Sequence, residues 1–183
     1  GNEAKKPFVP AKKASPHQDT VDKAKSVWNK LRQKSNTKEQ QKKLMDELYP
    51  LIKGKSYQIA LKHDASRIIQ AALQFGSSKQ RQEVAMELVQ GDLLELCNNA
   101  YAHHSVVKVI KYCHKDDKVM DRFKSGLRNK VAKLAVHSVG SRVLDAIFLN
   151  LSFQKSYTLK EELYGPHFSV FVDEEQKSKT LAD

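Results

Sequence analysis

The apolar positions of this chain recur at helical spacing, and then the whole pattern recurs. Three segments, Ile59 to Phe75, Leu96 to Tyr112 and Leu134 to Asn150, align at offsets of 37 and 38 residues. Ile59, Leu96 and Leu134 share one apolar column, and Ala65, Ala102 and Gly140 share a small-residue column. Ile69, Val106 and Leu144 form another, followed by Leu73, Ile110 and Phe148. A repeat of this period predicts a solenoid, in which each unit buries its apolar face against its neighbours. Function is then expected on an extended surface rather than in one enclosed pocket.

Each repeat reads as three short helices. In the first (56–92) they are expected at Ser56–Lys62, Ala65–Phe75 and Lys79–Val89, and in the second (93–126) at Leu93–Asn99, His103–Cys113 and Asp117–Phe123. The third (127–165) reads as Leu127–His137, Ser141–Leu151 and Phe153–Tyr164. Ahead of them, residues 19–55 predict a helical cap or degenerate repeat. Val21, Ala24, Trp28 and Leu31 lie along its first helix, and Leu44, Leu48, Leu51 and Ile52 along its second. Thr37 and Gln40 have capping-box spacing, Pro50 falls in the second helix's last turn, and Gly54 closes it. Residues 1–18 lack an apolar period and read as a flexible basic tail. Residues 166–183 read as a polar segment, the start of an insertion or a truncation, and the array is expected to continue in a longer protein.

In each middle helix the third, fourth, seventh and eighth positions are mostly apolar, as in Ile68, Ile69, Ala72 and Leu73. Positions one, two and five are therefore expected on the opposite edge, facing away from the core. They are Ser66, Arg67 and Gln70 in the first copy, His103, His104 and Val107 in the second, and Ser141, Arg142 and Asp145 in the third.

SRIIQ (66–70) and GSRVLD (140–145) resemble the middle-helix motif of Pumilio (Puf) RNA-binding repeats, and LAVHSVGSRVL (134–144) resembles the first half of such a repeat. The resemblance implies an all-α, right-handed α-solenoid of three-helix repeats. It also implies that positions one and five hydrogen-bond a base edge while position two stacks between bases. A hydroxyl or amide suits the first task, and a guanidinium or imidazole plane the second. By that family's code Ser66 and Gln70 resemble an adenine reader, with Arg67, His104 and Arg142 in the stacking places. Val107 cannot hydrogen-bond a base, and Asp145 is only an acceptor, so the resemblance implies little sequence specificity. KLMDELYPLIKGK (43–55), HDASRIIQ (63–70) and EELYGPHF (161–168) are similar to the Puf-A/Puf6-like branch of nucleolar proteins. That similarity implies a nuclear and nucleolar location and a part in large-subunit ribosome biogenesis, with translational regulation as a further role. The partners it implies are rRNA or pre-rRNA, mRNA and DNA as further targets, and ribosome-assembly proteins.

Charge supports an anionic partner. The net charge is +11, and residues 1–55 carry 14 Lys or Arg against 6 Asp or Glu. Such an excess favours nucleic acid first. Lys108, with Lys111, Lys115 and Lys118, is a candidate phosphate grip, and Lys5, Lys6, Lys12 and Lys13 a candidate rRNA contact. The two cysteines, Cys97 and Cys113, fall in apolar columns and read as buried thiols. With His103, His104 and His114 nearby they lack metal-site spacing, so no metal or cofactor is expected. His63 and His137 precede middle helices and read as structural. No stretch reads as a membrane span or small-molecule site. Neither a phosphate-cradling glycine loop nor a nucleophile elbow is present, so catalysis is not expected. The competing expectation is a helical-repeat scaffold that binds proteins within a ribosome-assembly complex.

Overall fold

A computed structural model describes residues 16–164, so the expected tail up to 15 and the segment from 165 lie outside the described residues. The described chain is eleven α-helices and a closing 3-10 turn, without a strand among the described residues. Helix α1 (Pro16–Leu31) starts three residues before the expected Asp19, within the stretch read as tail. Helix α2 (Lys38–Ile52) is capped as its sequence requires. Thr37 Oγ1 accepts from Gln40 N at 3.3 Å, and Gln40 Oε1 accepts from Thr37 N at 2.8 Å. The helix runs through Pro50 to Ile52, and the chain turns away at Gly54, whose φ of 76° is a left-handed value that favours glycine. Met45 joins Leu48 and Ile52 in the core, while Leu44 and Leu51 are half-buried at the flanks of the stripe.

The repeats follow as α3 (Ser56–Leu61), α4 (Ser66–Phe75) and α5 (Ser78–Gln90), then α6 (Leu93–Asn98), α7 (His103–Cys113) and α8 (Asp117–Leu127). The last set is α9 (Val131–Ala135), α10 (Gly140–Asn150) and α11 (Phe153–Glu161), with the 3-10 turn Glu162–Tyr164. The sequence reading places the start of the third repeat too early. Leu127 is buried as the last residue of α8, and Asn129 turns the chain at φ 62° before α9 begins. Middle helix packs on middle helix, α4 on α7 and α7 on α10, while α5 packs on α8. Helices α1 and α2 both cover α4. One continuous apolar core runs through the stack, from Val21 to Leu159. The small-residue column follows from this stacking: a Cβ on Gly140 would come within 2.5 Å of Asn98 Oδ1 of the preceding repeat.

The first helices are short, and each needs its leading N–H groups satisfied. Glu87 does this in the first repeat, accepting from Gly54 N at 2.7 Å and Ser56 N at 3.0 Å. Glu162 does the same in the third, for Asn129 N at 2.8 Å and Val131 N at 3.2 Å. Counted from the helix caps Ser77, Asp116 and Ser152, these are equivalent positions, and the second repeat has Gly126 there. A Cβ on Gly126 would already touch Leu93. In that repeat Asp92 caps α6 locally, accepting from Leu94 N at 3.0 Å and Glu95 N at 3.2 Å.

Candidate nucleic-acid interface

The middle helices bring Arg67, His104 and Arg142 into one row. All three are exposed, one on each of α4, α7 and α10. His104 lies close enough to both guanidiniums to feel them. Partial desolvation, the adjoining His103 ring, Arg142 and Arg67, in that order, hold its imidazole below the ordinary pKa. Among the described residues neither arginine has a carboxylate within ion-pair distance.

The expected edge is narrower than its residues. Ser66 and His103 are each only 3% exposed, so neither faces away from the core as position one was expected to. Helix geometry explains it. At about 100° per residue, position two lies about 170° from the middle of the apolar stripe, position five about 130° and position one only about 90°. His103 is instead a fastener, donating Nδ1–H to Asn99 O at 3.0 Å while its ring lies 3.8 Å from that of His104. Ser141 is half-buried, its hydroxyl donating to Ser138 O at 3.5 Å. At position five Gln70 is half-buried, Val107 leans on the core and Asp145 is exposed.

The lysine run gathers at the other end of α7. Lys108 Nζ donates to Gln74 Oε1 at 3.0 Å and sits 5.4 Å from the Tyr112 ring centre, with Lys111 at 5.8 Å. Arg81, which no sequence motif singled out, lies 5.4 Å from the same ring. Its guanidinium donates to Leu73 O at 2.8 Å and Gly76 O at 3.1 Å. An open groove of about 530 Å³ runs beside Arg81, Tyr112 and Lys115. Lys115 and Lys118 are exposed.

The two histidines expected to be structural diverge. His137 Nδ1 accepts from Val139 N at 3.2 Å and Gly140 N at 3.1 Å, fixing the turn into α10. His63 is exposed, and its ring meets that of Tyr101 edge-on at 4.7 Å. Burial holds both thiols protonated, with Cys97 pushed up to about 12 and Cys113 to about 11. No cluster of metal-ligating side chains occurs among the described residues.

Fold and site together define an α-helical repeat protein with a cationic row along its middle helices. The chain belongs to the Pumilio (PUF) repeat family, in its Puf-A/Puf6-like branch. The family model described as a NOP9-like PUF repeat domain matches residues 8–169. Pumilio homology domain family member 6 of Schizosaccharomyces pombe is 35% identical over 167 residues, 90% of this chain and 26% of that protein. Pumilio homolog 3 of Rattus norvegicus is 36% identical over 156 residues, 84% of this chain and 23% of that protein. The chain thus spans about a quarter of the length of these relatives. Human Puf-A, solved alone and in complex with DNA, matches with a TM-score of 0.79 and 32% identity over 90% of this chain. This chain covers 31% and 32% of those two structures. The Puf3 RNA-binding domain bound to a Cox17 RNA 3′ UTR recognition sequence matches at 0.62, with 25% identity, over 76% of this chain and 39% of that one.

Proposed function

We propose that this chain binds nucleic acid, RNA foremost and DNA as well, with phosphate neutralisation supplying most of the affinity and sequence little of the selectivity. The observation that carries the reading is the row Arg67, His104 and Arg142 on three successive middle helices, without a carboxylate partner among the described residues. The guanidiniums attract phosphate, and planar guanidinium and imidazole groups can also cover a base face. With Ser66 buried and Val107 apolar, few hydrogen-bonding groups are presented at the base-reading positions. The complexes of Puf-A with DNA and of Puf3 with RNA support this reading. Within a longer protein, the likeness to the Puf-A/Puf6 branch supports a nucleolar role in large-subunit ribosome assembly, with pre-rRNA as the target.

Fluorescence anisotropy with single-stranded RNA across a salt series tests the core of the proposal. Neutralising two phosphates at Arg67 and Arg142 gives a slope near −1.4 on a single strand, a loss of roughly 7-fold between 50 and 200 mM salt. Flat salt dependence would overturn it. A protein-binding scaffold is the second reading, favoured by exposed apolar side chains in the third repeat. Val136 is 88% exposed and Leu149 84%. Salt-insensitive capture of a ribosome-assembly protein, without nucleic-acid affinity, would favour that reading.

A further inference from the structure

His63 and Tyr101 extend the cationic row into something chemically different. Helical backbone begins before α7 formally starts: Asn99 Oδ1 accepts from Tyr101 N at 2.8 Å and Ala102 N at 3.0 Å, and His103 N donates to Asn99 O at 3.3 Å. Tyr101 and His104, three residues apart across that turn, therefore share one side. In the turn before α4, Ser66 N donates to Lys62 O at 2.9 Å and His63 stands four residues before Arg67. The turn before each helix thus presents an aromatic ring, and the second residue of the helix presents a cation or imidazole. The two rings touch edge-on, an arrangement that leaves at least one face of each uncovered. Tyr101 is 40% exposed, so its ring is open to a ligand.

Charge on this ledge also suits a polyanion. The carboxylate adjoining His63, Asp64, is engaged by Lys25, so it does not stand there as an uncompensated negative charge. The salt bridge and hydrogen bond to Lys25 hold the Asp64 carboxyl below its usual range.

We propose that Tyr101 and His63 form a stacking platform for one unpaired base, whose flanking phosphates are met by Arg67 and His104. This rests on the nucleic-acid reading above and narrows it to a strand with an accessible base. In a duplex both faces of a base are occupied by its neighbours, so the platform favours single-stranded or looped segments. Base–aromatic stacking is tolerant of sequence, because every base has a π-face.

The test uses the whole 183-residue chain with a single strand and a duplex of the same sequence, the single strand also carrying 2-aminopurine. Tyr101→Ala is expected to weaken single-strand binding about tenfold and leave duplex binding unchanged. Tyr101→Phe keeps the ring and should match the parent chain. Quenching of 2-aminopurine on binding should persist in the Phe variant and be lost in the Ala variant. Far-ultraviolet circular dichroism confirms that both fold. Unchanged single-strand affinity and quenching in Tyr101→Ala, alongside weakened binding in Arg67→Ala, would overturn the platform and leave the cationic row standing. Equal losses on single strand and duplex would also overturn it. Failure of the parent chain to bind either would remove the nucleic-acid reading itself, and the platform with it.

Discussion

The row along the middle helices and the seam running from α2 along the third helices are both dense in polar groups, yet they use them oppositely. Along the seam, partners close on one another. Gln80 donates to Asp46 at 2.9 Å, Gln82 to Asp116 at 2.8 Å, and Lys155 to Asp117 at 2.7 Å. Tyr49 and Lys53 both engage Glu83, and these two contacts hold its carboxyl below the usual range. Along the row, Arg67 and Arg142 stand without a carboxylate partner among the described residues, with His104 between them. A charge satisfied inside the protein is part of the structure. One left facing solvent beside its like is a charge with something else to meet.

The sharpest way to break this division is to move a residue across it. Glu162→Ala removes a charged acceptor from two backbone N–H groups and should cost about 2 kcal/mol of stability. Urea denaturation would show it, and the affinity of the folded fraction for RNA should not change. Next comes the double variant Arg67→Ala with Arg142→Ala, which should lower RNA affinity about tenfold. Because both side chains are exposed, its stability should stay within about 0.5 kcal/mol of the parent. A fall in stability that matched the fall in affinity would merge the two regions. Asp92→Ala should cost about 1 kcal/mol, the usual loss for a removed N-cap, again without an effect on binding.

The smallest effect is a pH dependence. His104 has a folded pKa below the ordinary value near 6.5, so the unfolded chain binds more protons in that range. Stability of the free protein therefore rises with pH, and is lost as pH falls from about 6.5 through the lower folded value. A bound phosphate favours the charged imidazole, so affinity should move the other way and tighten as pH falls from 7.5 to 5.5. His104→Gln should flatten both profiles, measured by thermal melts and by anisotropy.

How far these regions could be read from the residues depended on which forces placed them. The range predicted for α7 is the range observed, because its apolar stripe, Val106, Val109, Ile110 and Cys113, is repeated at clean helical spacing. The start of the third repeat was misplaced because Asn129, rather than a glycine, takes the left-handed turn, and asparagine is a weaker signal. Position two was legible as exposed since it lies opposite the stripe, whereas position one borders it and is decided by the neighbouring helix. That is how Ser66 and His103 came to be buried. The His63–Tyr101 pair and the Arg81–Tyr112 contact each join different repeats. No spacing along one chain segment encodes them; only the stacking of repeats does.

The capping carboxylates carry a mechanical consequence. In the first and third repeats a strut, Glu87 or Glu162, ties the far end of the repeat to its beginning, across 31 to 33 residues. Among the described residues, the middle repeat has the local Asp92 cap in place of a strut. Tyr57 of the preceding repeat does reach Glu95 on α6, but no strut satisfies the leading N–H groups there, so amide exchange should be fastest in α6 among the first helices. The repeat without the strut is the one that carries His104 and Tyr101. Slower exchange in α6 than in α3 and α9 would show that the struts do not set the stiffness of the stack.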